Sequence, residues 1–469
     1  MARAHAIVLG AGMSGLLAAR VLADHYGRVT VLERDQLGRT PHNRRGVPQG
    51  RHVHGLLPSG AQVLGELFPG LLDDLVTNGG TRLDDYSRLH FVPDGEHRLS
   101  PRLQVESIYQ QSRPFLESAV RQRVLALPNV HVVDGCDVVG LATSSGRVVG
   151  ARAVQRGRRE EVLSADLVVD AAGRGSRTPS WLAEMGYAKP TEDKVDIDVR
   201  YASRLVRLAP GSVPETLVVI GASAHRPVGM ALAAYEDNTW MFTMTGYGPA
   251  AQAADYEGMV NQAAEFAPAH MITALREALP LGDVSTFRFL ANRRRRYDKL
   301  RRFPAGLLVT GDALCAFNPI YGQGMTIAAL EAAALRDCLR GGDTRLARRF
   351  FRAAEKPVQV AWNMAVGADL ALPYVSGARP LSMRLINAYV GRLLIAAQHD
   401  PAVAARFLRV SAFLKPPSRL MTPLMMARVF GRRGTVTTEV RRERTGSVGI
   451  AQVDAVGPER EVDSPTVAG

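Results

Sequence analysis

The spacing of apolar and polar positions changes several times along the chain, and each change predicts an element. Ala6 to Leu9 is a short, continuous apolar run, the mark of a buried strand. Leu16, Leu17, Ala19, Val21 and Leu22 then predict a helix from Leu16 to Tyr26, and Arg28 to Leu32 predicts a second strand ending in Glu33. Ser59 to Phe68 has amphipathic helical spacing, and strand-like residues recur around Leu89 to Val92. Gln111 to Glu117 opens another helix, with Ser112 as N-cap, Arg113 at the start and Pro114 in the first turn. Val130 to Val133, Val138 to Leu141, Val148 to Val154 and Glu161 to Leu163 predict strands. Asp166 to Asp170 is a buried strand that passes through Ala171 to Ser176 into a helix containing Trp181.

From Val195 to about Phe289 the texture is β. Val195 to Leu208, Thr216 to Ile220, Val228 to Tyr235, Trp240 to Tyr247 and Val284 to Leu290 are the expected strands, with Glu236 to Asn238 as a hairpin turn. Two helical stretches, near Tyr256 to Phe266 and His270 to Leu279, interrupt them. Met230, Leu232, Met241, Phe242 and Met244 give this region an apolar face, either packed core or the wall of a lipophilic pocket. An apolar strand, Leu307 to Thr310, follows, and beyond Met325 the pattern is helical: Thr326 to Leu339, Arg345 to Leu372, Leu381 to Gln398, Pro401 to Leu414 and Pro423 to Phe430. Capping of a pocket is the expected role of this last third, with a dimer contact or a membrane surface as alternatives. The polar stretch from about Arg441 predicts a disordered tail. The expected organisation is an α/β cofactor domain over residues 1–194, a β-sheet substrate domain over 195–290, a return segment of the first domain over 291–340, a helical region over 341–440 and the tail.

Two glycine-rich helix starts stand out against this pattern. Gly10-Ala11-Gly12-Met13-Ser14-Gly15 lies between the first strand and its helix, and Glu33 closes the second strand eighteen residues after Gly15. Strand, GxGxxG, helix, strand and acid are the full context of a dinucleotide fingerprint. The first glycine permits the tight turn, the second lets backbone approach a pyrophosphate, and the third lets helix and strand close together. The motif alone does not separate NAD from FAD. The second start is Gly311-Asp312 at the end of the later strand, a loop through Phe317, Pro319 and Tyr321, then Gly322-Gln323-Gly324-Met325 opening a long Ala/Leu-rich helix. A strand delivering a carboxylate beside an uncapped helix N-terminus suits a polyol-and-phosphate cofactor. Between them, the turn-rich segment Arg44 to Leu57, with Arg45, Gly46, Val47 and Pro48, leaves the second strand's carboxyl end and is a candidate cofactor-covering loop. His52 and His54 lie in it without a partner acid at usable spacing, so hydrogen-bonding histidines are expected and no metal site.

Composition narrows the function classes. The net charge of +13 is almost all arginine, with five lysines, and is dense only at Arg293 to Arg296. No basic region with heptads and no zinc-finger spacing occurs, which argues against nucleic acid as partner. Cys136, Cys315 and Cys338 form no CxxC pair, which fits a reducing cytoplasmic setting. No apolar run approaches the roughly 20 residues of a transmembrane helix, and the first residues lack a signal-peptide pattern.

Taken together, Gly10 to Gly15 with Glu33, the strand ending at Ala172-Gly173, and Gly311-Asp312 through Met325 resemble the FAD-dependent monooxygenases of the para-hydroxybenzoate hydroxylase type, over most of residues 5–340. Within that group, RRGVPQGRHVHGLL and YDKLRRFPAGLLVTGDALCAFNPIYGQGM are most similar to actinobacterial polyether epoxidases and squalene-epoxidase-like enzymes. The resemblance implies a Rossmann-like FAD-binding domain with an inserted β-sheet substrate domain and a helical C-terminal region. It implies that Glu33, with Arg34 beside it, holds the adenosine ribose, and that Gly12, with Gly10, Met13, Ser14 and Gly15 around it, meets the pyrophosphate. Arg113 would lie near the ribityl phosphate, and Asp312 would take the ribityl or pyrophosphate part. Pro319, Gly322, Gly324 and Met325 would lie against the isoalloxazine ring, and Arg45, Gly46 and Val47 along its other side. Met230, Leu232, Met241, Met244, Phe317 and Tyr321 are the candidate substrate-pocket residues.

The implied reaction is epoxidation of a lipophilic polyketide or terpenoid alkene in secondary metabolism, through a flavin C4a-hydroperoxide formed with O2. The flavin carries this chemistry, so no protein nucleophile or catalytic residue is expected. The family's middle motif usually has Asp where this chain has Ala172. That departure argues against direct reduction of the flavin by NAD(P)H and for a separate flavin reductase, with Arg174 or Arg177 serving a nicotinamide cofactor as the alternative. Aromatic hydroxylation of a phenol or quinolone and reduction of isoprenoid double bonds are the alternatives on the same scaffold. A buried His or Tyr in the β domain would favour hydroxylation, and an apolar pocket epoxidation. The Trp-x-Trp-x-Ile-Pro signature of flavin halogenases is absent. From another class, a binding protein that kept the fold without the redox reaction would purify colourless.

Overall fold

The structure, a computed structural model, describes residues 4–248 and 255–431; the predicted tail from Arg441 lies outside them. Its centre is a five-stranded parallel sheet in the order Leu307–Val309, Leu167–Asp170, His5–Leu9, Arg28–Leu32, Val130–Val133. All five are among the expected strands; residues 6–9, 167–169 and 307–309 are the continuous apolar runs of a buried parallel sheet, while Thr30 and His131 interrupt the other two. Helices Met13–Ala23, Arg113–Leu125 and Gly324–Arg340 belong to this layer, and a three-stranded antiparallel sheet, Cys136–Ser144, Arg147–Gln155 and Glu160–Ser164, packs against it. All three cysteines are free and buried.

The second sheet has seven strands, in the order Cys315–Ala316, Leu279–Arg295, Glu192–Arg207, Trp240–Tyr247, Val228–Ala234, Leu217–Ile220, Leu89–Val92. It is antiparallel except for the last pair. It is wider than residues 195–290, because both edge strands come from elsewhere in the chain. The two longest strands also overrun their expected ends. Glu192 pairs in register with Arg295 and Asp193 with Arg294, and Arg295 donates to Glu192 at 3.1 Å. The dense Arg293 to Arg296 run is thus mostly engaged: Arg296 donates to Asp193 and Asp298, and the nearly buried Arg294 is paired with Glu355.

Helices Tyr256–Ala263 and Ala269–Arg276 cover one side of this sheet, where Met259, Val260, Met271 and Leu275 meet Leu232, Phe242 and Met244. Helix Leu346–Ala371 packs on Gly324–Arg340. Leu381–Ala397, Pro401–Ser411 and Pro423–Gly431 close a separate core with Leu83, Tyr86, Leu89 and Leu99. No helix among the described residues is long and apolar enough to cross a membrane.

Candidate functional site

Each glycine of the first turn has its own physical role. Gly10 has φ +98°, and a Cβ there would lie 2.7 Å from the Ala171 carbonyl oxygen. A Cβ at Gly15 would lie 1.9 Å from the Gly10 carbonyl oxygen, so only glycine lets the helix close on the strand. At Gly12 a Cβ would meet nothing within 4 Å, because this position opens on a cavity. Helix Met13–Ala23 begins here with no side-chain cap and no acid in its first turn, leaving its N–H groups to face the cavity region. Glu33 accepts from the Ala11 N–H at 2.7 Å and the Asp35 N–H at 2.9 Å, which still leaves lone pairs for a ribose hydroxyl.

Arg113 and the covering loop meet at a residue the sequence did not single out. Glu117 is buried, one turn after Arg113, and accepts from Arg113 Nε at 3.3 Å and from Arg44 Nε at 2.9 Å. Arg44 also lies 3.3 Å from Glu33, and its Nη2 donates to the Ala11 carbonyl at 3.2 Å. Gly46 N–H donates to Asp35 at 2.8 Å. The loop is therefore tied to the ends of the first two strands, with Arg34, Arg45, Gly46 and Val47 on the cavity wall. The i, i+4 spacing of Arg113 and Glu117 was the signal for this pair.

The second glycine start meets the first in space. Gly311 has φ +65°, and a Cβ on it would lie 2.6 Å from Ser14 Oγ. Thr310 Oγ1 and Gly311 N–H each donate to Glu331 at 2.6 Å. Glu331, fully buried in helix Gly324–Arg340, has its carboxyl pushed up to about 7 by burial. Asp312 follows on the cavity wall with no hydrogen-bond partner among the described residues. Burial raises its carboxyl, opposed by Arg174 and Arg113. Gly322, at φ +64°, and Gly324 leave open space where a Cβ would be, and helix Gly324–Arg340 also starts without a side-chain cap or an acid in its first turn. Gln323 Oε1 is buried and unpartnered at the same place.

Both starts line one cavity of about 1630 Å³. Its wall includes Gly10, Gly12, Met13, Ser14, Glu33, Arg113, Asp312, Pro319, Gly322, Gly324 and Met325; Gly15 lies behind it, between helix and strand. Open glycines, two uncapped helix N-termini, and the unpartnered Asp312 and Gln323 fit a flavin dinucleotide. The volume exceeds the roughly 300–1,000 Å³ of an ordinary small-molecule site, which leaves space beyond such a cofactor.

Of the expected substrate-pocket residues, Met230, Phe317 and Tyr321 line this cavity. Leu232, Met241 and Met244 do not, which corrects their assignment. Leu232 and Met244 are in the core under the two covering helices, and Met241 packs with Ala233 and Tyr235. Strand Val228–Ala234 is buried at every position, so its pattern could not say which side chains meet the cavity.

A polar cluster stands beside Tyr321. Asp369, fully buried on helix Leu346–Ala371, accepts from Tyr321 Oη at 2.7 Å, Tyr247 Oη at 2.9 Å, Asn318 Nδ2 at 2.9 Å and Asn292 Nδ2 at 2.6 Å. Tyr201 Oη donates to Asn318 Oδ1 at 2.7 Å. Burial raises the Asp369 carboxyl, and these donors oppose the rise. Burial also pushes the hydroxyls of Tyr201, Tyr247 and Tyr321 well above their ordinary value. The wall also includes the apolar side chains of Phe91, Ile108, Leu217, Val390, Leu394 and Phe407, from β strands and the C-terminal helices.

His52 packs between Tyr201 and Phe287, and its Nδ1 lies 2.8 Å from Ser203 Oγ; His54 Nδ1 lies 2.9 Å from the His52 carbonyl oxygen. Burial lowers the imidazoles to about 4 and about 3. Asp170 stands two residues before Ala172 but is turned away: it accepts from Ala172 N–H, Ser176 and Thr178. Arg174 lies on the cavity wall over the Phe287 ring, 5.1 Å from its centroid, and Arg177 over Trp181 at 5.6 Å.

No protein-family model matches the chain. Protein Rv3254 from Mycobacterium tuberculosis is 41% identical over 420 residues, covering 86% of this chain and 88% of that protein. Kynurenine 3-monooxygenase from Salinispora arenicola is 26% identical over 370 residues, covering 76% of this chain and 77% of that enzyme. Among solved structures, p-nitrophenol 4-monooxygenase PnpA from Pseudomonas putida DLL-E4 matches with a TM-score of 0.63 over 87% of this chain and 97% of that chain, at 17% identity, a likeness of fold.

Proposed function

The chain belongs to the family of Protein Rv3254 and has the fold of the FAD-dependent monooxygenases, and from that premise we propose that it epoxidises a carbon–carbon double bond of a large lipophilic polyketide or terpenoid. One observation carries this reading. Two uncapped, glycine-rich helix starts open on a single cavity whose wall also carries many apolar side chains of the β strands and the C-terminal helices. Bound and reduced, the flavin supplies with O2 an electrophilic oxygen atom; the electrons come from NAD(P)H, directly or through a separate reductase. Gly12 and the N-terminus of helix Met13–Ala23 would receive the pyrophosphate, and the N-terminus of helix Gly324–Arg340 would face the isoalloxazine ring. Glu33 accepts from the adenosine ribose, Asp312 from the ribityl hydroxyls, and Arg113, steadied by Glu117, faces the phosphate. Phe317, Pro319 and Tyr321 divide the flavin from the substrate. The apolar side chains of the wall orient the alkene and keep water out.

A second reading, hydroxylation of an aromatic ring bearing a hydroxyl or amino group, is favoured by the Asp369–Tyr247–Tyr321 cluster, whose two tyrosines line the cavity. Such a cluster can hold a proton or a hydrogen bond against the substrate's polar group. The purified chain should carry or take up FAD, seen as visible absorbance, and Asp312→Ala should remain folded but lose most of it. With the flavin reduced, long alkenes should stimulate oxygen uptake and gain one oxygen, and NMR should show an epoxide. A hydroxylated ring as product selects the second reading. A chain that stays colourless with excess FAD overturns both.

A further inference from the structure

The C-terminal helical layer has a surface unlike the rest of the molecule. Of fourteen large apolar side chains exposed among the described residues, nine lie between Tyr374 and Phe430. Leu381 and Leu385 are 69% and 63% exposed, one turn apart on helix Leu381–Ala397; Leu424 is 70% and Phe430 55% exposed on helix Pro423–Gly431. The two helices are neighbours: the Tyr389 ring lies 6.1 Å from that of Phe430, and Tyr389 Oη donates to the Leu420 carbonyl in the turn Pro417–Met421. Exposed apolar area concentrated in this way marks a contact surface.

Charge says what kind of surface it meets. Residues 370–431 contain eight Arg or Lys and a single acid. That acid, Asp400, is buried, caps helix Pro401–Ser411 and is paired with Arg428. Arg409 is also paired, with Glu106 from outside the layer, but Arg384, Arg392 and Arg419 are exposed on the elements that carry the exposed apolar side chains, so this face is apolar and cationic with no exposed carboxylate of its own. A second copy docking on it through a two-fold contact would bring arginines against arginines. An anionic phospholipid surface instead takes both the apolar side chains and the positive charge, the long arginines reaching to the headgroups.

The face is also continuous with the cavity. Ile386 and Met421 are exposed and line it, beside Val390 and Leu420 on the same elements. We infer that helix Leu381–Ala397, the turn Pro417–Met421 and helix Pro423–Gly431 dock on the surface of an anionic phospholipid bilayer, so that the mouth of the cavity meets the lipid phase. Docking itself needs no redox activity; delivery of a lipophilic substrate through that mouth rests on the function proposed above.

Flotation of the full chain with vesicles of phosphatidylcholine, with and without about 30% phosphatidylglycerol, tests this directly. Binding should be at least about tenfold stronger with the anionic lipid and should weaken as salt is raised. Leu385→Glu combined with Leu424→Glu, both exposed and outside the cavity wall, should abolish it while leaving the unfolding temperature and FAD absorbance unchanged. Three results overturn the proposal: equal or absent binding on the two vesicles, unchanged binding by the double variant, or binding only after removal of residues 432–469. A dimer in sedimentation velocity that the double variant dissociates, without vesicle binding, assigns the face to a second copy instead.

Discussion

At the scale of single residues, burial sets the character of the site more than charge does. His52 and His90 are both buried, and burial holds both imidazoles down at about 4, against an ordinary value of 6.5. Above that ordinary value neither the folded nor the unfolded chain protonates them, and the fold has its full stability. As pH falls from about 6.5 towards 4, the unfolded chain takes up protons that the folded chain refuses, so stability is lost. The loss is at most about 1.4 kcal/mol per pH unit for each histidine. The unfolding temperature should therefore drop between pH 7 and pH 5, and His52→Gln should flatten part of that drop. A slope identical in wild type and variant would mean that His52 is protonated in the fold. Asp312 presents the opposite case, a carboxylate left without a partner where Glu331 behind it has two donors. Sequence spacing pointed to Asp312, but Glu331 was visible only as one of two acids in an Ala/Leu-rich helix, which a solvent-facing position explains equally well.

At the scale of elements, the strand–turn–helix unit separates folding from binding within one motif. Gly12→Ala places its Cβ in open cavity, so the flavin-free protein should unfold at the wild-type temperature while FAD affinity falls. Gly15→Ala forces the helix off the strand, since its Cβ would stand 1.9 Å from backbone oxygen. That should cost about 1–3 kcal/mol, read as a lower unfolding temperature without any ligand. If the two variants behave alike, the cavity side and the packing side of the turn have been wrongly divided. Strand Leu279–Arg295 shows what local pattern misses. Pro280, Gly282 at φ +66° and the arginines read as loop and charge run, yet pairing with Glu192–Arg207 draws them all into one strand. Partner strands override local preference because the pairing supplies backbone hydrogen bonds and cross-strand ion pairs that the segment lacks alone.

At the scale of the whole molecule, Asp369 joins three regions distant in sequence. Its acceptor oxygens hold Asn318 and Tyr321 of the loop after Asp312, Tyr247 and Asn292 of the β sheet, and through them the C-terminal helix itself. Asp369→Ala would strand these buried donors and should lower stability by at least about 3 kcal/mol, measured by urea unfolding, with Asp369→Asn less damaged. An unchanged midpoint for Asp369→Ala would mean that water or another acceptor replaces it. The same helix, with Met364 and Ala368 on the cavity wall, makes the C-terminal region part of the pocket and not only its cover.

The cofactor cradle was legible in the sequence because its parts are local. A strand, a glycine turn and a helix start lie within a dozen residues, and their chemistry follows from backbone geometry. The two-layer α/β plan was legible for the same reason, as long apolar runs and helical spacing survive without knowledge of partners. What the tertiary structure alone decided is which groups meet. The pairing of Glu117 with Arg44, the place of Glu331 behind Gly311, and that of Asp369 among tyrosines from two regions each depend on contacts that no spacing encodes. The sidedness of Leu232, Met241 and Met244 was hidden because their strands are buried on both faces, where the alternation that marks an inside and an outside disappears.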